Sequence, residues 1–191
     1  MSLTDRIAQR LAAPAPDGIL PGDLLEQPHD DARNAAVLVA ITERERPGLL
    51  FTVRREHMRT HAGQVAFPGG RIDEGEDAVA AALREAWEEL ALPADQAKVI
   101  GLADPYRTVT DYVVTPVLAR VPAGLDLRPN PDEVADWFEA PLDFVLDPAN
   151  QQRMSAEFRG RTRHYYQIDW DGHKIWGATA AMLVNLTRRL A

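Results

Sequence analysis

Three glutamates, Glu85, Glu88 and Glu89, crowd into the run AVAAALREAWEEL. At about 100° per residue a helix would spread them over an arc of only about 100°. Like charges three and four residues apart weaken a helix, so such an arc calls for solvent or a cation to offset it. Carboxylate oxygens suit hard divalent ions such as Mg²⁺ or Mn²⁺. Spacing alone also leaves open a plain solvated acidic face. Competing chemistries are scarce in the rest of the chain. The two serines, Ser2 and Ser155, lie outside any G-x-S-x-G, and no G-x-x-x-x-G-K-[ST] phosphate loop occurs. The absence of cysteine excludes a thiol nucleophile and a thiolate zinc site. His57 and His61 stand four residues apart but without the H-E-x-x-H pattern that would make them a zinc pair.

The carboxylates need a helix to hold them and a sheet to hold the helix. Val79, Leu83, Ala86, Trp87 and Leu90 recur at three- and four-residue steps and predict a helix from Asp77 to Leu90, with this stripe buried and the acids opposite. Ala91-Leu92-Pro93 ends it. The continuous apolar run Ala35 to Ile41 predicts a buried strand, with Gly48 to Val53 as its hairpin partner across ERERPG. Further strands are expected over Lys98 to Ala103, Val113 to Val121, Glu133 to Phe138, Tyr165 to Ile168 and His173 to Trp176. A short helix is expected over Leu3 to Leu11 and another over Ala178 to Leu190, with a Pro- and Gly-rich arm after the first. Strands mixed with well-separated helices predict one layered α/β domain.

Around the acidic run, Gly70, five residues, Glu76, seven residues, Arg84-Glu85, an aliphatic position, one residue and Glu88-Glu89 follow in order. This resembles the signature box of the Nudix hydrolases, G-x5-E-x7-R-E-U-x-E-E-x-G-U, where U is a bulky aliphatic residue. Two positions depart from it. Ala91 stands where the second glycine is usual, and Ala86 is smaller than usual. Without glycine's freedom at positive φ, Ala91 is expected to end the helix differently, with Pro93 as the stop. The resemblance implies the Nudix fold, an α/β/α arrangement with a mixed β-sheet sandwiched between helices. It also implies a hydrolase that cleaves a nucleoside diphosphate linked to another group. Carried over by motif position, Glu85, Glu88 and Glu89 become ligands of Mg²⁺ or Mn²⁺, with the Gly70 carbonyl as a further ligand, and one of the glutamates takes a proton from water. Arg84 pairs with Glu88 and holds it in place, and Glu76 reaches the metal or braces the loop.

The segment before the box, from Leu49 through Arg54, Arg59, His61 and Gly63 to Phe67-Pro68-Gly69-Gly70, resembles the extra motif of the coenzyme A diphosphatase branch of that family. Arg55 stands where a small residue is usual, and Thr52 is displaced by one position. This resemblance implies coenzyme A or a derivative as the small-molecule substrate, with Arg54, Arg59 and His61 binding it. Charge points the same way: in a chain with 21 basic and 29 acidic residues, Arg54 to His61 gathers three arginines and two histidines, a patch suited to an anion. A strand edge kept soluble by charge is the alternative. Glu133 is a candidate for an additional carboxylate from beyond the box. ADP-ribose, NADH or another nucleoside diphosphate derivative is the alternative substrate, and a non-catalytic sensor is the alternative class. The sensor class usually lacks box carboxylates that are all present here.

The 191 residues predict a single domain, residues 35–191, preceded by a helix and Pro-rich arm, residues 1–34, packed on it. A net charge of −8 argues against a general nucleic-acid coat, and no run approaches the length of a membrane span. A cysteine-free chain without an apolar leader fits the cytoplasm. A homodimer stays open.

Overall fold

The computed structural model describes residues 1–23, 32–55, 63–158 and 160–191. Its elements are α1 (Leu3–Ala12), β1 (Arg33–Glu43), β2 (Gly48–Arg54), β3 (Val65–Ala66), β4 (Gly69–Arg71), α2 (Ala78–Leu90), β5 (Lys98–Leu102), β6 (Tyr106–Arg107), β7 (Tyr112–Pro122), β8 (Val134–Pro141), α3 (Leu142–Val145), β9 (Gln152–Phe158), β10 (Arg161–Trp170), β11 (His173–Trp176) and α4 (Ala178–Leu190). The main sheet has the path β3-β2-β1-β7-β5, with β4 also pairing β1, β6 pairing β7 and β8 pairing β2. It is mixed: β1 and β7 run parallel from Arg33 opposite Tyr112 to Glu43 opposite Pro122, while β1 and β2 are antiparallel with Ile41 opposite Leu49. A second sheet, β11-β10-β9, is antiparallel throughout.

Period-two alternation along β1 explains the layering. Ala36, Leu38 and Ala40 face one hydrophobic cluster, which holds Ala81, Ala82, Ala86 and Leu90 of α2. Ala35, Val39 and Ile41 face the other, which holds Leu183 and Leu186 of α4 and Ile7 of α1. With both faces covered, the strand reads in sequence as an unbroken apolar run. The expected mixed sheet between helices is therefore the observed fold. Ile7 is 1 % exposed, and Ser2 and Asp5 close a capping box at the start of α1. Among the described residues no helix is long and apolar enough to cross a membrane.

Two sequence expectations need correcting. Along α2 the expected stripe holds at Ala86 and Leu90, which are buried, and at Val79 and Leu83, which pack against the same cluster, but Trp87 is 56 % exposed, and Glu89, expected on the opposite side, is buried together with Ala81 and Ala82. Alanines let the helix lie close to the sheet, and this turns Glu85 and Glu89 toward the protein rather than away from it. Nor does Ala91 avoid the left-handed conformation. It sits at φ 53°, ψ 33°, donating its N–H to the Trp87 carbonyl, while Leu92 N–H bonds the Ala86 carbonyl. The helix thus ends as a glycine-capped helix would, at the steric cost of a Cβ in that region. The strands β3, β4 and β6 and the four-residue α3 had no period long enough to read, and β9 is too polar to announce itself as a strand.

Candidate active site

The site begins with two glycines. Strand β4 pairs with β1 so that Gly69 faces Val37 and Gly70 faces Ala36. A Cβ on Gly69 would strike the Ala36 carbonyl and the Val37 backbone, and one on Gly70 would strike the Glu85 carboxylate. Glycine at both positions lets a bare backbone segment lie against the helix that carries the acids. The loop after β4 is held by Ile72 N–H to the Asn34 carbonyl (3.0 Å) and by Asp73 N–H to Glu76 Oε2 (3.0 Å). Asp77 then caps α2 by accepting from Ala80 N–H (2.8 Å).

Arg84 is the hub of this loop and helix. Its Nε and Nη2 donate to the two oxygens of Glu76 at 2.8 and 3.0 Å, and its Nη1 donates to Glu85 at 2.9 Å and to Glu88 at 3.2 Å. Nη2 also donates to the Arg71 carbonyl (3.0 Å) and lies 3.8 Å from Asp73. The expectation of a pair with Glu88 is met as one contact among several, and Glu76 is the two-handed partner. Asp73 is a loop residue that sequence reasoning passed over, because nothing in its spacing ties it to Arg84. These contacts hold Glu76 well below the usual carboxylate range, chiefly through the Arg84 hydrogen bonds.

Glu85 and Glu89 are in a different state. Glu89 is 3 % exposed, accepts a hydrogen bond from Gly69 N–H (3.3 Å), and has Arg54 Nη1 at 3.9 Å. Burial pushes its pKa up to about 8, with Arg54 pulling down and Glu85 and Glu133 pushing up. Burial raises Glu85 as well, against the pull of Arg84. Glu88, its side chain 51 % exposed, lies on the outer edge of the group. Glu133 is exposed on the turn just ahead of β8, where its charge reaches both buried acids. Arg54 closes the opposite side: its Nε is buried without a hydrogen-bond partner among the described residues. Arg59 and His61, and the alternative zinc residue His57, lie outside the described residues.

Among the described residues no three acidic or imidazole groups converge on one point as they stand, since Glu85 is drawn to Arg84 and Glu89 to Gly69. The donor set still fits a hard divalent cation. Burial raises the proton affinity of both Glu85 and Glu89, most strongly that of Glu89, so a cation beside them would offset the charge that desolvation opposes. The cradle beside Gly70 keeps the approach to Glu85 free of side-chain atoms. All donors are oxygens, as Mg²⁺ and Mn²⁺ prefer.

The profile of the NUDIX domain matches residues 32–159. A protein described as an uncharacterized Nudix hydrolase NudL, from Escherichia coli strain K12, is 42 % identical over 159 residues, covering 83 % of each chain. Among solved structures, the Nudix hydrolase RenU of M. smegmatis is similar with a TM-score of 0.52 and 26 % identity, over 61 % of this chain and 74 % of that one. A MutT/nudix family protein from Enterococcus faecalis has the same TM-score, 0.52, at 12 % identity, over 98 % of this chain and 68 % of that one.

Proposed function

The chain belongs to the Nudix hydrolase family, and on that premise we propose that it hydrolyses the diphosphate bond of coenzyme A and its derivatives, using Mg²⁺ or Mn²⁺. The products are adenosine 3′,5′-bisphosphate and 4′-phosphopantetheine or its acylated form. The observation that carries the catalytic part is the buried Glu89 and the half-buried Glu85 beside the Gly69-Gly70 backbone. Glu85, Glu88 and Glu89 hold the cation together with the Gly70 carbonyl. Bound there, a divalent ion neutralises diphosphate oxygens and lowers the pKa of water. One of the glutamates takes the proton from the attacking water. Arg84 keeps Glu76, Glu85 and Glu88 within reach of one another and fixes the loop by its bond to the Arg71 carbonyl.

Substrate choice rests on the segment Arg54 to His61. Arg54 lies beside Glu89 with a buried Nε that has no hydrogen-bond partner among the described residues, and Arg59 and His61 follow in the same basic run of the sequence. Arginines grip phosphate with paired bonds, and coenzyme A differs from dephospho-coenzyme A only by its 3′-phosphate. On this reading the helix and arm of residues 1–34 brace a hydrolase domain of residues 35–191. The enzyme works in the cytoplasm on small molecules rather than on nucleic acid or membranes, in keeping with its acidic, cysteine-free chain.

A panel of coenzyme A, dephospho-coenzyme A, ADP-ribose and NADH with Mg²⁺ tests the proposal. A charge-assisted hydrogen bond contributes about 1.5–3 kcal/mol, so removing the 3′-phosphate should lower kcat/KM by roughly 10- to 150-fold. Equal rates on the first two, or preference for ADP-ribose or NADH, would remove the coenzyme A assignment and leave the diphosphatase chemistry standing.

A further inference from the structure

The second sheet ends in an open edge. Strand β9 pairs with β10 from Gln152 opposite Gln167 to Phe158 opposite Arg161, and no strand among the described residues pairs with its other side. Gln152, Arg153, Ser155, Ala156 and Glu157 are exposed. A seven-residue edge left unpaired among the described residues invites another strand, and proteins ordinarily blunt such edges with proline, a bulge or charged side chains. Strand β9 has no proline, and its register against β10 runs without a break. Its charges, moreover, are of opposite sign and symmetrically placed.

Ser155 lies midway between Arg153 and Glu157. If two copies pair antiparallel with Ser155 facing Ser155, residue 153 of each copy faces residue 157 of the other. Arg153 then meets Glu157 twice, on one face of the joined sheet, and Met154 meets Ala156 twice on the other. Moving the centre by one residue to Ala156 puts Ser155 against Glu157 and loses both ion pairs, and moving it to Met154 puts Arg153 against Ser155. Arg153 has no ion pair of its own among the described residues, and Glu157 accepts only the Thr162 hydroxyl from the neighbouring strand. Cross-strand pairs of opposite charge favour a register and like pairs oppose it. Joining two β9 edges would also extend the three-stranded sheet to a continuous six-stranded one.

We propose that the chain forms a two-fold symmetric homodimer through antiparallel pairing of β9 with β9, in the register that sets Arg153 against Glu157 of the second copy. This interface is isologous, so one swapped charge is felt twice. It is independent of the reaction assigned above, because neither residue belongs to the acidic group or to the Arg54 segment.

Sedimentation velocity on the full-length wild type, Arg153→Glu, Glu157→Arg, the double variant and an equimolar mixture of the two single variants tests it. Wild type should be dimeric. Each single variant should set like charges against each other twice and weaken the dimer by at least about tenfold. The double variant should regain the dimer, and so should the mixture, in which an all-acidic edge meets an all-basic one. That recovery in the mixture also shows that both single variants are folded. A monomeric wild type, single variants that stay dimeric, or a mixture that stays monomeric would each overturn the proposal.

Discussion

Helices α2 and α4 are each thirteen residues long and cover opposite faces of the same sheet, yet they contribute differently. Helix α4 buries nine of its residues, from Thr179 to Arg189, with Leu183 wholly enclosed. Even its polar residues are matched: Asn185 trades two hydrogen bonds with the Leu20 backbone, and Arg189 pairs with Asp104 and donates to the Ala13 carbonyl. Helix α2 presents mostly alanines to the sheet, with Leu90 beside them, and turns two carboxylates inward whose pKa values are raised. One face of the molecule is built for packing. The other gives up some apolar burial to keep Glu89 dry and Glu85 half-buried beside a bare backbone loop, an arrangement that costs stability in the absence of a cation and is explained by chemistry.

Truncating each helix in turn would sharpen this contrast. Leu183→Ala should cost about 2–5 kcal/mol in denaturant unfolding, as expected for an enclosed leucine, while kcat per folded molecule stays near wild type. A loss of kcat without loss of stability would mean that α4 shares in the chemistry.

The two glycines of the loop separate packing from positioning within a single dipeptide. Gly69→Ala drives a Cβ into the β1 backbone, which cannot move aside, and should destabilise by about 1–3 kcal/mol. Gly70→Ala meets only the mobile end of Glu85, so melting should change little while kcat falls because that carboxylate is displaced. Equal effects of the two variants on melting temperature would contradict the placement of Glu85.

Titration gives the gentlest test. Burial pushes the Glu89 pKa in the folded state up to about 8 from an ordinary value of 4.5, so between those limits the folded state binds more protons than the unfolded one. Without divalent metal, Glu89 should therefore lower stability as pH rises from about 4.5 to 8, by at most about 1.4 kcal/mol per pH unit. Glu85 adds in the same direction. Glu89→Gln should flatten the slope, and Mg²⁺ at pH 8 should restore stability to wild type more than to the variant. An identical slope in both proteins would place the buried charge elsewhere.

How much of this could be read beforehand depends on the kind of signal each residue leaves. The β1 run, the β2 hairpin partner and the bounds of α4 were legible because burial writes a periodic pattern over many residues. The box was legible as spacing: Gly70, Glu76, Arg84 and the glutamates do come together. The stripe along α2 is legible at Val79, Leu83, Ala86 and Leu90 but not at Trp87, because size is a poor proxy for burial. Trp87 is large and exposed, whereas Ala81, Ala82 and Ala86 are small and buried, since close approach to the sheet favours small side chains. The bond from Arg84 to the Arg71 carbonyl and the left-handed turn at Ala91 depend on how loops fold back, which no single-chain periodicity records.

The central claim is that the dry carboxylates of α2, above all Glu89, carry catalysis. The most direct measurement is kcat for coenzyme A hydrolysis at saturating Mg²⁺ by Glu89→Gln, a change that keeps shape and removes one charge. The account predicts a loss on the order of 10²-fold or more, by analogy with other electrostatic catalytic groups, with circular dichroism and melting showing an intact fold. A folded variant that hydrolyses coenzyme A at close to the wild-type rate would contradict it.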